Sequence, residues 1–481
     1  MRTQEKMTNY RWMICAMLFF ATTINYLDRQ VLSLTWPKFI GPEFGWTNDD
    51  YGNITAAFSI LYAISMLFAG RFVDWLDTKK GFLWAIGIWS VGACMHAFCG
   101  IATAGTVTGT WVASFEGAKD LIQTFGTTGK VVSISVLFFI ISRFVLALGE
   151  AGNFPAAIKA TAEYFPKKDR AFSTSIFNSG ATIGAMIAPA SILYIAEAWG
   201  WESSFIIIGV LGFFWMGFWV FIYKKPEVHP KVNKLELAYI QIDKDSSTND
   251  ELPLEQTQSR KLSFIECFKF KQTWAFAFGK FMTDGVWWFY LFWMPKYLQS
   301  VFGITGTAQV LPLTILYTIV MFSIYGGWLP SYFMVKKGMN PYAGRMKAML
   351  IFAFFPLLAL FAQPLGIYSY WLPVIIIGIA CAAHQAWSAN IFSTVSDMFP
   401  KTAIATVTGI GGMAGGVGSY IIQKSSGKLF DFAGNTEMEF LGFKGEPAGY
   451  FIIFIGCSVA YLIGWIVIKS LVPKYKPIIL N

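Results

Sequence analysis

The stretch ISRFVLALGEAGNFPAAIKATAEYFPK, residues 141–167, continues an apolar run that begins near Val131. The run from 131 to 156 exceeds the roughly 20 residues that a helix needs to cross a hydrocarbon core. Inside it stand Arg143 and Glu150, although a charge at mid-bilayer costs about 2.5–3.5 kcal/mol on insertion scales. Seven residues apart, the two lie two turns apart on one face of the helix. Lipid cannot cover such a face, so other helices must. The stretch therefore reads as one span of an all-α membrane bundle with a polar interior.

The rest of the chain agrees. Of 481 residues, 55% are hydrophobic, 18% aromatic and 14% charged, against about 25% charged in soluble domains. With 46 Phe and 19 Trp, a soluble enzyme is excluded, and no ten-residue alternating segments point to a β-barrel. Windows of about nineteen residues give twelve spans, at 12–36, 50–73, 82–101, 131–156, 171–196, 203–223, 275–298, 309–335, 345–363, 371–396, 403–424 and 449–470. The first contains Asp28 and Arg29 with no small-residue cleavage site, so it reads as a retained helix and not a signal peptide. Six scattered cysteines and three histidines show neither a disulfide framework nor metal-ligand spacing, so no metal and no cofactor are expected. The net charge of +9 belongs to loop lysines rather than to nucleic-acid binding.

The one long polar stretch, 224–272, carries Lys224, Lys225, Lys231, Asp243, Lys244, Asp245 and Glu251 and splits the spans six and six. The chain thus divides into a six-helix bundle at 1–223, a solvated cytoplasmic linker at 224–272 with a short helix near Leu235–Ile242, and a second six-helix bundle at 273–481. Putting both termini in the cytoplasm leaves Lys38, Lys119, Lys130, Lys296, Lys424, Lys428 and Lys444 outside. Nearly all other basic residues, among them Lys79, Lys80, Lys167, Lys168, Arg170, Lys336 and Lys337, then lie inside, as the positive-inside rule requires.

The halves repeat each other. Pro37-Lys38-Phe39 matches Pro295-Lys296-Tyr297, and Gly70, Lys79, Lys80 and Gly81 match Gly327, Lys336, Lys337 and Gly338 with the same spacing. The ending of the opening stretch, Glu163-Tyr164-Phe165-Pro166-Lys167, matches Asp397-Met398-Phe399-Pro400-Lys401. The offsets are 258, 257 and 234; a long outside insert near 102–130 accounts for the drop. Two repeated halves describe a secondary transporter whose substrate sits at midplane between them. Glycines in the fifth span (Gly180, Gly184) and the eleventh (Gly411, Gly412, Gly415, Gly416, Gly418) allow close helix approach.

Asp28, Arg29, Lys280 and Asp284 join Arg143 and Glu150 as charges within spans. Their faces should converge on a central cavity, where protonating Asp28 and Glu150 leaves excess positive charge that attracts an anion. H⁺-coupled anion symport is the expectation, with Asp28 and Glu150 carrying protons. Arg29, Arg143 and Lys280 would handle the carboxylate, which arginine grips in bidentate fashion. Asp284 and Trp287 in the seventh span and His384, Gln385, Trp387 and Asn390 in the tenth supply amide, imidazole and aromatic groups for a hydroxylated ligand. Under the third offset His384 falls at the position of Glu150.

The strings NYLDRQVLSLTWPKF (25–39), ISRFVLALGEAGNFPAAIKATAEYFP (141–166), GKFMTDGVWWFYLFWMPKYL (279–298) and ATVTGIGGMAGGVGS (405–419) resemble the major facilitator superfamily, and within it the anion:cation symporters, most of all bacterial hexuronate transporters. The resemblance implies sugar-acid uptake with protons through Asp28, Arg29, Arg143 and Glu150, with Tyr26 and Tyr62 lining the substrate. It also implies a monomer in a bacterial inner membrane, meeting a small organic anion, H⁺ and lipid, driven by the proton gradient. The loop GRFVDWLDTKKG (70–81) keeps Gly70, Asp74, Lys79 and Lys80 of the superfamily's gating motif but lacks the arginine after the aspartate. Symport or exchange of another organic anion, an aldonate such as galactonate or an aromatic acid, fits nearly the same residues.

Overall fold

A computed structural model describes residues 6–249 and 263–478. Twelve principal helices are α1 (Tyr10–Thr35), α2 (Asn48–Leu76), α3 (Thr78–Ala97), α4 (Gly129–Glu150), α5 (Lys167–Trp199), α6 (Trp201–Ile222), α7 (Lys271–Phe302), α8 (Val310–Val320), α9 (Pro341–Phe354), α10 (Trp371–Met398), α11 (Lys401–Asn435) and α12 (Glu446–Leu471). Each expected span is thus helical. Among the described residues eight helices are long and apolar enough to cross a membrane, or nine if α3 and Cys99–Thr108, bent by 50°, form one span. The helices outside that group, α1, α7 and α11, are those with polar, charged or glycine-rich interiors.

The expected span 131–156 is not one straight helix. It breaks after Glu150, and a second segment, Asn153–Tyr164, carries it to the end of the bundle. Ala151 and Gly152 keep helical backbone angles; the regular ladder is interrupted there because Pro155 has no N–H to offer the Ala151 carbonyl. The duplication is visible in three dimensions. Glu163, at the end of that segment, accepts hydrogen bonds from Thr78 Oγ1 (2.6 Å), the first residue of α3, and from the Tyr223 hydroxyl. In the other half Asp397, at the end of α10, accepts from Arg345 Nε (2.7 Å) near the start of α9.

Polar contacts between the halves gather, among the described residues, toward the end that carries the insert. Asp431 on α11 accepts from the backbone N–H groups of Asn48 (2.9 Å) and Asp49 (2.7 Å) in the first turn of α2. Lys424 pairs with Asp49 (3.2 Å), Glu197 on α5 accepts from the Thr307 N–H (2.9 Å), and Gln299 donates to the Pro37 carbonyl (3.0 Å). Deeper in, Tyr51 donates to the Phe292 carbonyl (2.9 Å) and Ser59 meets Ser419 (3.0 Å). The insert itself is two helices, Cys99–Thr108 and Phe115–Phe125, the second burying Ala118 and Ile122 against the N-terminal half.

The linker is not simply solvated. Its helix runs longer than expected, Lys234–Asn249, and Glu236 is fully buried. The reason lies in α1, whose Asn9 cap makes no side-chain hydrogen bond, leaving first-turn N–H groups without partners. Glu236 accepts from the N–H groups of Tyr10 (3.0 Å) and Arg11 (3.0 Å), from Thr8 Oγ1 (2.6 Å) and from Arg11 Nη1 (3.1 Å). Burial pushes this carboxyl up, but the Arg11 N–H, the Thr8 hydroxyl and the Tyr10 N–H outweigh it and hold it below the ordinary value. A lowered folded-state value means that the clamp is fully present above the unfolded carboxylate range and is lost as pH falls through the lowered one. Stripping one partner from a buried pair costs about 3–5 kcal/mol. Glu236→Ala is accordingly expected to speed amide exchange in 234–242 and in 8–12 together; unchanged exchange in either segment would contradict the clamp.

Candidate functional site

The charged residues of α1 and α4 meet in the N-terminal half. Asn25, Asp28, Arg29, Arg143 and Glu150 are all at most 2% exposed. α1 can bring its polar run inward because Gly184 of α5 lies so close that a Cβ there would stand 2.5 Å from the Thr23 carbonyl oxygen. Arg29 donates through Nε (2.9 Å) and Nη2 (2.6 Å) to Glu150 Oε2. Glu150 therefore pairs across to α1 and not along its own helix with Arg143, from which two turns, about 10.5 Å of rise, separate it.

Aromatic rings enclose the Arg29 guanidinium. Tyr26, Tyr62 and Trp288 have their ring centres at 4.9, 4.8 and 4.6 Å, and Phe58 lies at 5.8 Å. Tyr26 and Tyr62 were expected at the site; Phe58 and Trp288 were not. The signal for Trp288 was present, since Lys280, Asp284 and Trp288 recur at four-residue spacing and so share one face of α7.

Around this ion pair sit buried polar atoms with no hydrogen-bond partner. They include both carboxylate oxygens of Asp28, Nε and Nη1 of Arg143, Oε1 of Glu150, Nδ2 of Asn25 and both side-chain polar atoms of Asn153. Asp28 lies beside the Trp89 indole, within electrostatic reach of Glu150 and Arg143, yet neither its oxygens nor Trp89 Nε1 makes a hydrogen bond of normal geometry. An unsatisfied buried group costs about 1–3 kcal/mol, so this cluster is expensive for the fold to hold.

In the C-terminal half Lys280 and Asp284 form an ion pair at 2.7 Å, with the Lys280 Nζ also 4.2 Å from the Phe392 ring centre. Gly415 of α11 faces this carboxylate with no room for a Cβ. The other residues expected here bond and stack within the C-terminal half. Trp287 stacks on His384 (5.5 Å, 6°), and His384 Nδ1 lies 2.7 Å from the Tyr461 hydroxyl. Asn390 donates to the Gly326 (2.9 Å) and Ala386 (2.8 Å) carbonyls, and Trp387 packs edge-on against Tyr461 within the bundle. Gln385, one residue past His384, is partly exposed. In the loop motif Asp74 pairs with Lys159 (3.0 Å) and Lys79 donates to the Val220 carbonyl (2.7 Å). Both contacts stay within the N-terminal half; Gly70 has open space beside it, and Lys80 is exposed. The six cysteines are free, and no metal-holding group exists among the described residues.

The Major Facilitator Superfamily model matches residues 18–422. The hexuronate transporter of Escherichia coli (strain K12) is 27% identical over 436 residues, 89% of this chain and 90% of that protein. The probable galactarate/D-glucarate transporter of the same strain is 24% identical over 469 residues, 95% of this chain and 93% of that one. Among solved structures, a D-xylose–proton symporter has the same fold with a TM-score of 0.65 at 15% identity, covering 98% of both chains. A match that begins within α1 and ends within α11 leaves no doubt of kinship: the chain belongs to the Major Facilitator Superfamily and is a multi-pass membrane transporter, not an enzyme.

Proposed function

We propose that this transporter imports hexuronates together with protons across a bacterial inner membrane, with the linker and both termini in the cytoplasm. The observation that carries the reading is the Arg29–Glu150 pair. The Nε and Nη2 edge of Arg29, taken by the Glu150 carboxylate, is offered to a second carboxylate only when the first becomes neutral. Protonating Glu150 releases that edge, and the acid group of the substrate replaces Glu150 there with net charge conserved in a low-dielectric site, where an uncompensated charge is expensive. Proton and anion are thereby coupled by competition for one cation. Asp28, beside Arg143, is a second carboxylate in the same enclosure and the second proton carrier. On the other side of the boundary Lys280 and Asp284 provide a pair that a substrate can reopen.

The names of the relatives support hexuronates as the substrate class, and the lysine-rich linker end supports a cytoplasmic placement of that end. An exchanger of an aldonate or an aromatic acid would keep the arginines but would not need Glu150 to titrate.

In proteoliposomes with an inward proton gradient the wild type is expected to accumulate glucuronate. Glu150→Gln should lose gradient-driven accumulation while keeping counterflow of labelled for unlabelled substrate; full accumulation by this variant would refute the coupling. Arg29→Lys keeps the charge but not the planar fork. It should raise the half-saturating glucuronate concentration about tenfold, the scale of one charge-assisted hydrogen bond, and an unchanged value would remove Arg29 from the substrate.

A further inference from the structure

We infer that Trp288 is the residue of the C-terminal half that recognises the ring of the substrate, so that cyclic sugar acids are selected over open-chain ones. This rests on the organic-anion reading above and asks more of it. The flat Arg29 cation is approached in two ways. In its plane Glu150 holds Nε and Nη2; around it lie Tyr26 and Tyr62 from its own half and Trp288 from the opposite one. The place where a carboxylate would land is therefore bordered by an indole that reaches across the boundary between the halves.

Its neighbours on α7 have other tasks. Trp287 is buried against His384, and Trp293 is buried and donates to Gln423 (2.6 Å). Trp274, near the start of the helix, donates to the Phe268 carbonyl (2.8 Å). Trp288 is only partly buried and leans at 58° on both Phe58 and Tyr62, each 5.8 Å away in the N-terminal half. It is held by residues that must part from it whenever the halves separate.

The chemistry of a pyranose acid fits this position. Its carboxylate projects from the ring edge, so an acid gripped in the plane of Arg29 brings the ring beside the aromatic groups that flank the guanidinium. The C–H face of the ring is attracted to the negative face of an indole. An open-chain acid offers the same carboxylate but no rigid C–H face, and it loses more rotamer freedom on binding. A ring held between Arg29 on α1 and Trp288 on α7 also ties the two halves together.

The test uses the full chain in lipid nanodiscs and calorimetric binding of D-glucuronate, which is cyclic, and D-gluconate, an open-chain acid with the same number of carbons. The wild type is expected to bind glucuronate more tightly. Trp288→Leu, which keeps apolar bulk without a π face, should weaken glucuronate binding about tenfold and leave gluconate nearly unchanged. Trp288→Phe should retain the preference, and Trp288→Met serves in place of the leucine variant should that one not fold. Equal losses for both acids, no loss for either, or a wild type that favours gluconate overturns the inference while the anion reading stands. A wild type that binds neither acid overturns both.

Discussion

A guanidinium buried in a membrane bundle is costly unless a carboxylate neutralises it, and for Arg29 that carboxylate sits on another helix. Arg29 and Glu150 are 121 residues apart in sequence and bonded at 2.6 Å. Much of the N-terminal half can be understood as the means of making that bond. Gly184 lets α1 approach α5, α4 ends at Glu150, and the rings of Tyr26 and Tyr62 flank the cation. Because Coulomb attraction strengthens as the surroundings dry, the pair is strong when enclosed.

The two halves divide their labour unequally. The N-terminal half holds the unpartnered polar atoms of Asp28, Arg143 and Asn153, while those of the C-terminal half include the Tyr290 hydroxyl and the Trp387 indole; Asn390 and His384 are bonded internally. Duplication thus preserved the mechanical parts, such as the grip of Glu163 on Thr78 and of Asp397 on Arg345, and let the chemistry diverge. His384, which corresponds in position to Glu150, is engaged by Trp287 and Tyr461.

The spans were legible because apolar runs of membrane length have few other uses, and the charged site residues were legible because lipid makes each of them costly. What could not be read was pairing between helices. Nothing local says that Glu150 reaches Arg29 rather than working with Arg143, or that Glu236, one acidic residue among many in a polar stretch, seals the start of α1. The choice between Trp287 and Trp288 failed for a related reason. Adjacent residues on a helix point about 100° apart, and composition alone does not say which of two identical side chains faces the boundary. The spacing from Lys280 and Asp284 did say so.

The first turn of α2 is finished by two hands. Thr47 and Asp50 form a capping box within the helix, while the N–H groups of Asn48 and Asp49 are claimed by Asp431 from the opposite bundle. Asn48 is buried and Asp49 partly so, and Asp431 satisfies their donors while the halves are in contact. The seam at this end is therefore a carboxylate of one bundle seated on a helix start of the other, and the capping box holds that first turn whether or not the carboxylate is there.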